Sequence, residues 1–133
     1  MKLHHIGIVV KNIQESLGEL TKFLNFESTT VPTLVGSQKV NVCFLKTNNV
    51  YIELIEPAEE NSPILTFVAK GGGFHHICFE VDDIHKAIVE LKENNITVIY
   101  NEPKVGAEGY LVTFIHPKST GGVLVELAEK INN

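Results

Sequence analysis

The chain has 133 residues, of which 44% are hydrophobic and 20% are charged, and its formal net charge is −5. This length predicts a single domain, and the composition is too apolar for a disordered chain and too interrupted by charge for a membrane protein. The acidic excess opposes non-specific binding to nucleic acid and to anionic membranes, so neither is an expected partner. No run is long enough to span a membrane and the start does not fit a signal peptide, which predicts a cytoplasmic location.

The basic residues and the cysteines limit which groups can bind an anion and whether a disulfide is expected. All eleven basic residues are lysines, so a carboxylate or phosphate must be held by lysine, hydroxyl or backbone donors rather than by a bidentate guanidinium. Cys43 and Cys78 lie in apolar, strand-like runs. A cytoplasmic protein is expected to keep both thiols free.

The chain contains an internal repeat. The segment His4–Leu20 (HHIGIVVKNIQESLGEL) is matched 71 residues later by His75–Leu91 (HHICFEVDDIHKAIVEL). A second match joins Val50–Glu56 (VYIELIE) to Val123–Glu129 (VLVELAE), 73 residues on. Such self-similarity predicts two copies of one module within a single domain. The copies cover about 1–57 and about 74–130, and glycine and proline mark the linker at 58–73.

The first copy predicts a strand, a helix and three further strands. Asn12 followed by Glu15 is a capping box for a helix that begins near Ile13 and has Ile13, Leu17, Leu20 and Leu24 on one face. Alternating β-branched runs predict the strands. These are Leu3–Val10, a weaker Phe26–Val31, Val40–Lys46 and Val50–Glu56.

The second copy predicts the same order, with a helix from about Ile84. Its predicted strands are Phe74–Val81, Thr97–Tyr100, Tyr110–His116 and Val123–Ala128. Ser62 followed by Pro63 predicts the start of a short linker helix that runs to about Ala69. The fold class is therefore α+β, with two tandem βαβββ modules forming a curved, cupped mixed sheet and helices on its outer face.

Period-two alternation assigns the polar strand residues to one face. In each copy the branched apolar residues share the face that packs under the helix, and a histidine and a glutamate lie on the other face. The first copy places His5 and Glu53 there, and the second places His76 and Glu126 there. A lone buried histidine is usually a hydrogen-bonded core residue and a lone strand glutamate is usually solvated, but the repetition of both favours a shared function.

These four side chains converge on one cleft if the copies pair about a pseudo-twofold axis and their strands curl. Two imidazoles and two carboxylates are suited to one divalent ion, and the absence of thiolate favours Mn²⁺, Fe²⁺, Co²⁺, Ni²⁺ or Zn²⁺ in a catalytic site. Four protein ligands leave two adjacent positions open to a substrate with two neighbouring oxygens. The ion would then stabilise the charge formed when a proton leaves beside those oxygens.

The remaining histidines have plainer interpretations. His4 and His75 also recur, and we expect them to pack against the helices or behind the ligands. His85 is expected on the exposed side of its helix. His116 precedes a proline at a strand end, so it either lines the cleft or caps a loop.

The segments HHIGIVV, VYIELIEP, FHHICFEV and GVLVELAE resemble the vicinal-oxygen-chelate superfamily of glyoxalases, bleomycin-resistance proteins and dioxygenases, over nearly the whole chain. Within it, NSPILTFVAKGGGFHHICFEVDDI and NEPKVGAEGYLVTFIHPKSTGGVLVEL are most similar to the methylmalonyl-CoA epimerases. The resemblance implies that the family's metal ligands fall on His5, Glu53, His76 and Glu126. It also implies an acyl-CoA thioester substrate, and members of these folds are often homodimers.

The implied reaction inverts C2 of methylmalonyl-CoA or a similar malonyl thioester, and it needs two proton-transfer groups. Glu126 and Glu53 are the catalytic candidates. Some members use a glutamate on the third strand of the first module, where this chain has Asn41, so the second base stays open and Asn41 is assigned to substrate binding.

The loop that holds Lys118, Ser119 and Thr120 is a second candidate for substrate binding. Its hydroxyl and backbone donors suit the substrate carboxylate, and a plain hairpin turn is the alternative.

Three alternative functions differ in their requirements. Glyoxalase I (lactoylglutathione lyase) has the same ligand pattern but commonly binds glutathione carboxylates through arginine, which this chain lacks. A bleomycin-binding type of module lacks the full ligand set. Dioxygenase chemistry uses two histidines and one glutamate, which leaves the fourth ligand unexplained.

Overall fold

The computed structural model describes residues 1–131. The chain divides into two compact units. Module 1 is the unit His5–His75, and module 2 combines Met1–His4 with the chain from His76 onward. The linker residues at 58–73 therefore belong to module 1, and the first four residues belong to module 2. No helix among residues 1–131 is long and apolar enough to cross a membrane.

Module 1 is a mixed sheet with one main helix. The strand order is β2-β4-β5-β1, and β3 also pairs with β4. Strand β1 is parallel to β5, whereas β4 is antiparallel to it. The elements are β1 (Lys2–Val9), α1 (Ile13–Leu20), β2 (Ser28–Thr29), β3 (Thr33–Val35), β4 (Val40–Lys46), β5 (Tyr51–Pro57) and α2 (Leu65–Ala69).

Module 2 repeats this arrangement with the order β6-β9-β8-β7. Strand β6 is parallel to β9, and β8 is antiparallel to β9. The elements are β6 (Gly73–Glu80), α3 (Ile84–Glu93), β7 (Lys104–Val105), β8 (Tyr110–Ile115) and β9 (Val125–Lys130). The predicted α+β class and the βαβββ order of each module are confirmed. In module 1 the predicted strand Phe26–Val31 is shortened to β2, and one further short strand, β3, follows it.

Both main helices begin at a side-chain cap. The Asn12 side chain accepts a hydrogen bond from the Glu15 backbone N–H at 2.9 Å, as the capping signal predicts. Asp83 accepts one from the Lys86 N–H at 3.0 Å. Each cap satisfies one of the N–H groups that have no partner inside the helix.

A glutamate from the last strand of each module reaches the first helical N–H. Glu56 accepts from the Ile13 N–H at 2.7 Å, and Glu129 accepts from the Ile84 N–H at 2.8 Å. Because a carboxylate at a helix N-terminus also interacts favourably with the helix dipole, this contact ties helix to sheet in both copies.

The cores lie between each helix and its sheet. The module 1 core is formed by Ile13, Cys43, Leu45 and Leu54, and the module 2 core by Ile84, Ile88, Val98 and Leu127. Every member of the first set is at most 1% exposed. The core residues occupy the strand phase opposite to the histidines and glutamates, as the alternation predicts.

Two predicted elements differ from the structure, and two short strands were missed. The linker helix begins at Leu65 rather than at Ser62, because the Ser62 hydroxyl makes no capping hydrogen bond and is buried without a partner. Residues Thr97–Tyr100 form one isolated bridge, between Val98 and Ile115, rather than a strand. The strands β3 and β7 were not predicted, because two or three mostly exposed residues carry no alternation.

Gly72 allows the chain to turn into β6. Its φ of +73° is in the left-handed region, and a Cβ at this position would lie 2.4 Å from the Val9 carbonyl oxygen. Only glycine fits both conditions.

Candidate metal centre

In module 1 a histidine and a glutamate meet across parallel strands. His5 Nε2 on β1 lies 3.2 Å from Glu53 Oε1 on β5, and the two side chains are 6% and 8% exposed. Gly7 is the residue directly opposite Glu53 in the register. Because Gly7 has no side chain, the His5 imidazole can reach over it to the carboxylate.

Module 2 builds the same pair from equivalent strands. His76 Nε2 on β6 lies 3.1 Å from Glu126 Oε1 on β9, with 4% and 8% exposure. Here the residue opposite Glu126 is Cys78, another small side chain. The histidine–glutamate pair is therefore a property of the repeated fold rather than of one strand.

A phenylalanine flanks each pair, a feature that the sequence analysis did not identify. Phe44 lies opposite Glu53 and meets the His5 ring edge-on, with centroids 5.4 Å apart. Phe114 lies opposite Glu126 and meets the His76 ring edge-on at 6.0 Å. The repeat spacing and the alternation were the signals that could have revealed both.

The electrostatics of each pair suit a cation. A buried carboxylate is costly unless it is paired or coordinates a metal, and within each module an imidazole is the observed neighbour. Each of the four side chains offers one atom that can ligate an ion. Imidazole nitrogen and carboxylate oxygen together fit the divalent transition metals of the sequence prediction.

Asn41, which the resemblance assigns to substrate binding, contacts a carboxylate at the start of α1. Its amide donates to Glu56 Oε2 at 3.0 Å, and Glu56 is the carboxylate that contacts the start of α1. In the register Asn41 lies opposite Glu56, whereas Val42 lies opposite Ile55 and shares the face of Glu53. Asn41 therefore supports the helix, on the other face of the sheet.

The loop after β8 is held by hydrogen bonds within the loop and by one from Thr97. Ser119 Oγ accepts from the Thr97 N–H at 3.1 Å, and the Thr120 hydroxyl donates to the carbonyls of Pro117 and Val123. His116 Nδ1 accepts from the Lys118 N–H at 3.0 Å. His116 therefore caps the loop, which is one of its two predicted roles.

The other histidines lie outside the two pairs. His75 packs edge-on against Phe67 of α2, with centroids 5.3 Å apart, in agreement with the expected packing on a helix. His4 lies against Tyr110 at 5.1 Å. His85 is exposed on α3, as predicted.

Both cysteines are free and buried, as predicted. Burial raises the pKa of the Cys43 thiol, which lies in the module 1 core and donates to the Thr30 carbonyl at 3.1 Å. A thiol with a raised pKa is a poor nucleophile, so Cys43 acts as a core residue.

Comparison with known proteins identifies the family. Residues 4–114 match the model of the Glyoxalase/Bleomycin resistance protein/Dioxygenase superfamily. The chain is 44% identical over 131 residues to the mitochondrial methylmalonyl-CoA epimerase of Dictyostelium discoideum, covering 97% of this chain and 78% of that protein. It is 40% identical to the ethylmalonyl-CoA/methylmalonyl-CoA epimerase of Cereibacter sphaeroides, covering 96% and 97%.

The fold comparison agrees. A structure of a Streptomyces coelicolor methylmalonyl-CoA epimerase variant in complex with 2-nitronate-propionyl-CoA is 31% identical, with a TM-score of 0.91. The similarity covers 98% of this chain and 94% of that one. The chain belongs to the glyoxalase/bleomycin resistance/dioxygenase superfamily, and its predicted similarity to the epimerases is confirmed.

Proposed function

We infer that this chain is a metal-dependent epimerase that inverts C2 of methylmalonyl-CoA or a similar 2-substituted malonyl thioester. The observation that carries this function is the buried histidine–glutamate pair at equivalent positions of both modules. The relatives named as epimerases cover almost the whole chain, which supports the same reaction. The reaction requires an acid–base site that binds two neighbouring oxygens, and the two pairs supply suitable groups.

We propose that His5, Glu53, His76 and Glu126 together bind one divalent ion per chain. Each module supplies one nitrogen and one oxygen donor, and neither pair alone fills the coordination sphere of Co²⁺, Ni²⁺, Mn²⁺, Zn²⁺ or Fe²⁺. When bound, the ion supplies positive charge to the carboxylate and thioester oxygens, where negative charge develops as C2 loses its proton. The match to a methylmalonyl-CoA epimerase structure over 98% of this chain supports this proposal.

The two glutamates are the proposed proton-transfer residues. In the proposed reaction one carboxylate takes the C2 proton, and a carboxylic acid returns a proton to the opposite face of C2. Glu53 and Glu126 are each buried, with an imidazole at 3.2 or 3.1 Å, so each module supplies one carboxyl group that can take or return a proton.

The loop Lys118, Ser119 and Thr120 is proposed to bind the substrate carboxylate. Ser119 Oγ accepts from a backbone N–H, which leaves its own proton available to donate. Lys118 is exposed and adds a positive charge. A homodimer and a cytoplasmic location remain predictions.

Isotope exchange tests the function. The protein is incubated in D₂O with methylmalonyl-CoA, and in parallel with the hemithioacetal of glutathione and methylglyoxal. We expect deuterium at C2 of the thioester at a catalytic rate, and its loss in Glu126→Gln. Turnover of the hemithioacetal alone would assign the chain to glyoxalase I instead.

A further inference from the structure

The two modules match where an ion would bind, but an acyl-CoA is not symmetric. The two modules can contribute equal ligands to a metal ion. The CoA part of the substrate, in contrast, extends from the site in one direction only. Residues that bind this part should therefore be present in one module and absent at the equivalent positions of the other. The strand faces that carry the glutamates show such a difference.

Module 2 has a lysine and a tyrosine at the edge of this face. Lys104 on β7 lies opposite Val112 of β8, and Val112 shares the face of Phe114 and Glu126. Lys104 Nζ lies 4.2 Å above the centre of the Tyr100 ring. The Tyr100 ring in turn contacts Phe114, with centroids 6.0 Å apart. Lys104 is exposed, so its ammonium group is available to an anion.

A second lysine lies at the same end of this face. Lys130 is four residues beyond Glu126 on β9, and it lies opposite Tyr110 of β8. Alternation therefore places Glu126 and Lys130 on the same side of the sheet. Lys104 and Lys130 thus lie on the same face, on the two strands that border β8.

Module 1 has no equivalent charges on this face. The residues at the matching positions are Thr33 for Lys104, Pro57 for Lys130 and Val40 for Tyr110. Thr33 lies opposite Val42 as Lys104 lies opposite Val112, so the comparison is between equivalent places in the register. The charge difference is therefore local, in a chain whose net charge is −5.

We propose that Lys104 and Lys130 bind the phosphate groups of the CoA part of the substrate, with Tyr100 holding the Lys104 side chain in place. This inference rests on the proposed function, because it requires an acyl-CoA at the Glu126 pair. Phosphates are the strongest anions of CoA, and lysine is the only basic residue type that this chain offers.

The distances suit a substrate that reaches from the metal centre to this end. Lys104 is two strands away from Glu126 and offset by two residues along the strand, which separates their Cα atoms by about 12 Å. A CoA thioester has its phosphates separated from the acyl group by the long pantetheine arm. The acyl end can therefore lie at Glu126 while the phosphates lie at the lysines.

Glu80 also lies on this face, since it is opposite Ala128. Its Oε1 is the acceptor for the Tyr110 hydroxyl at 3.5 Å. This contact occupies the Glu80 carboxylate with the Tyr110 hydroxyl.

The test compares substrates with and without phosphates. Steady-state kinetics with methylmalonyl-CoA and with methylmalonyl-pantetheine, which lacks every phosphate, are measured for Lys104→Gln and Lys130→Gln. We expect the KM for the CoA ester to rise about tenfold in each variant with little change in kcat, as loss of one charged hydrogen bond predicts. The KM for the pantetheine ester should not change. Lys92→Gln, a lysine on α3, is the matched control.

Calorimetric binding of free CoA to the metal-loaded protein separates the two proposals. If neither ester turns over but CoA binds and each variant weakens it, the proposed function fails and the phosphate site stands. Equal effects on both esters, or unchanged CoA binding in both variants, would overturn the phosphate site.

Discussion

The two modules have the same buried ionisable residues in the sheet, but they differ in the residues at the outer end of the same face. Both have a buried histidine–glutamate pair, with Nε2–Oε1 distances of 3.2 and 3.1 Å. At the outer end of the same face, module 1 has Thr33 where module 2 has Lys104. The difference suggests that the repeat preserves what a symmetric ion needs and diverges where an asymmetric substrate must be bound.

Substitution of either paired histidine should have the largest effect, a loss of metal affinity and of activity. We expect His5→Ala and His76→Ala each to lower metal affinity by more than about 100-fold, since even residues that only support metal ligands contribute 10- to 100-fold. Epimerase activity should fall in parallel. Metal content by elemental analysis and C2 exchange measure both, and His85→Ala is the control because that residue is exposed on α3. Full metal binding in either variant would contradict equal roles for the modules.

The helix-contacting glutamates provide a test on stability. Glu56 accepts hydrogen bonds from the Ile13 N–H and from the Asn41 amide. Its counterpart Glu129 accepts one from the Ile84 N–H. Removing a charged acceptor costs about 1.5–3 kcal/mol. We therefore expect both Glu56→Ala and Glu129→Ala to lower the free energy of unfolding, with the larger loss for Glu56→Ala. Urea denaturation measures the difference, and the reverse order would show that Asn41 contributes nothing.

The flanking phenylalanines should have a smaller effect on the metal. Phe44→Leu and Phe114→Leu remove the edge-on contacts with His5 and His76, which are worth about 0.5–1.5 kcal/mol. We expect metal affinity to fall by about 3- to 10-fold in each, as measured by competition with a chelator. Phe26→Leu is the matched control, because Phe26 packs on the helix side of module 1. An equal loss of affinity in that variant would assign the effect to general loosening.

The smallest expected effect comes from exchanging equivalent core residues. The Cys43 thiol donates to the Thr30 carbonyl, and at the equivalent place Thr113 donates to the Tyr100 carbonyl at 2.7 Å. Thr113→Cys introduces the side chain that module 1 already accepts, so we expect a loss of about 1 kcal/mol. Thermal unfolding checks this value. A loss of several kcal/mol would show that the two cores are not interchangeable here.

Much of the fold could be predicted because the repeated strands alternate clearly. Strand β4 was predicted with the observed bounds, the first residue of α1 followed from its capping signal, and the start of α3 at about Ile84 followed from periodicity. The strand β7 could not be predicted, because its two residues are exposed and are held only by pairing with β8.

Alternation in the sequence predicted the histidine–glutamate pairs, whereas the resemblance did not predict the contact between Asn41 and Glu56. Alternation placed Glu53 and Glu126 on the face of the histidines, and each lies beside its imidazole. Asn41 was assigned by its similarity to a family position, although counting in twos from Phe44 places Val42 on the face of Glu53. The phenylalanines have the correct phase but resemble ordinary core residues in sequence.

The number of ions bound per chain tests the central claim most directly. The purified protein is stripped with a chelator, titrated with Co²⁺ and followed by calorimetry and by the visible absorption of the ion. One tight site per chain, lost in both His5→Ala and His76→Ala, is the predicted result. Two independent weak sites, each lost with only one of the histidines, would contradict a shared centre and leave two separate histidine–glutamate pairs.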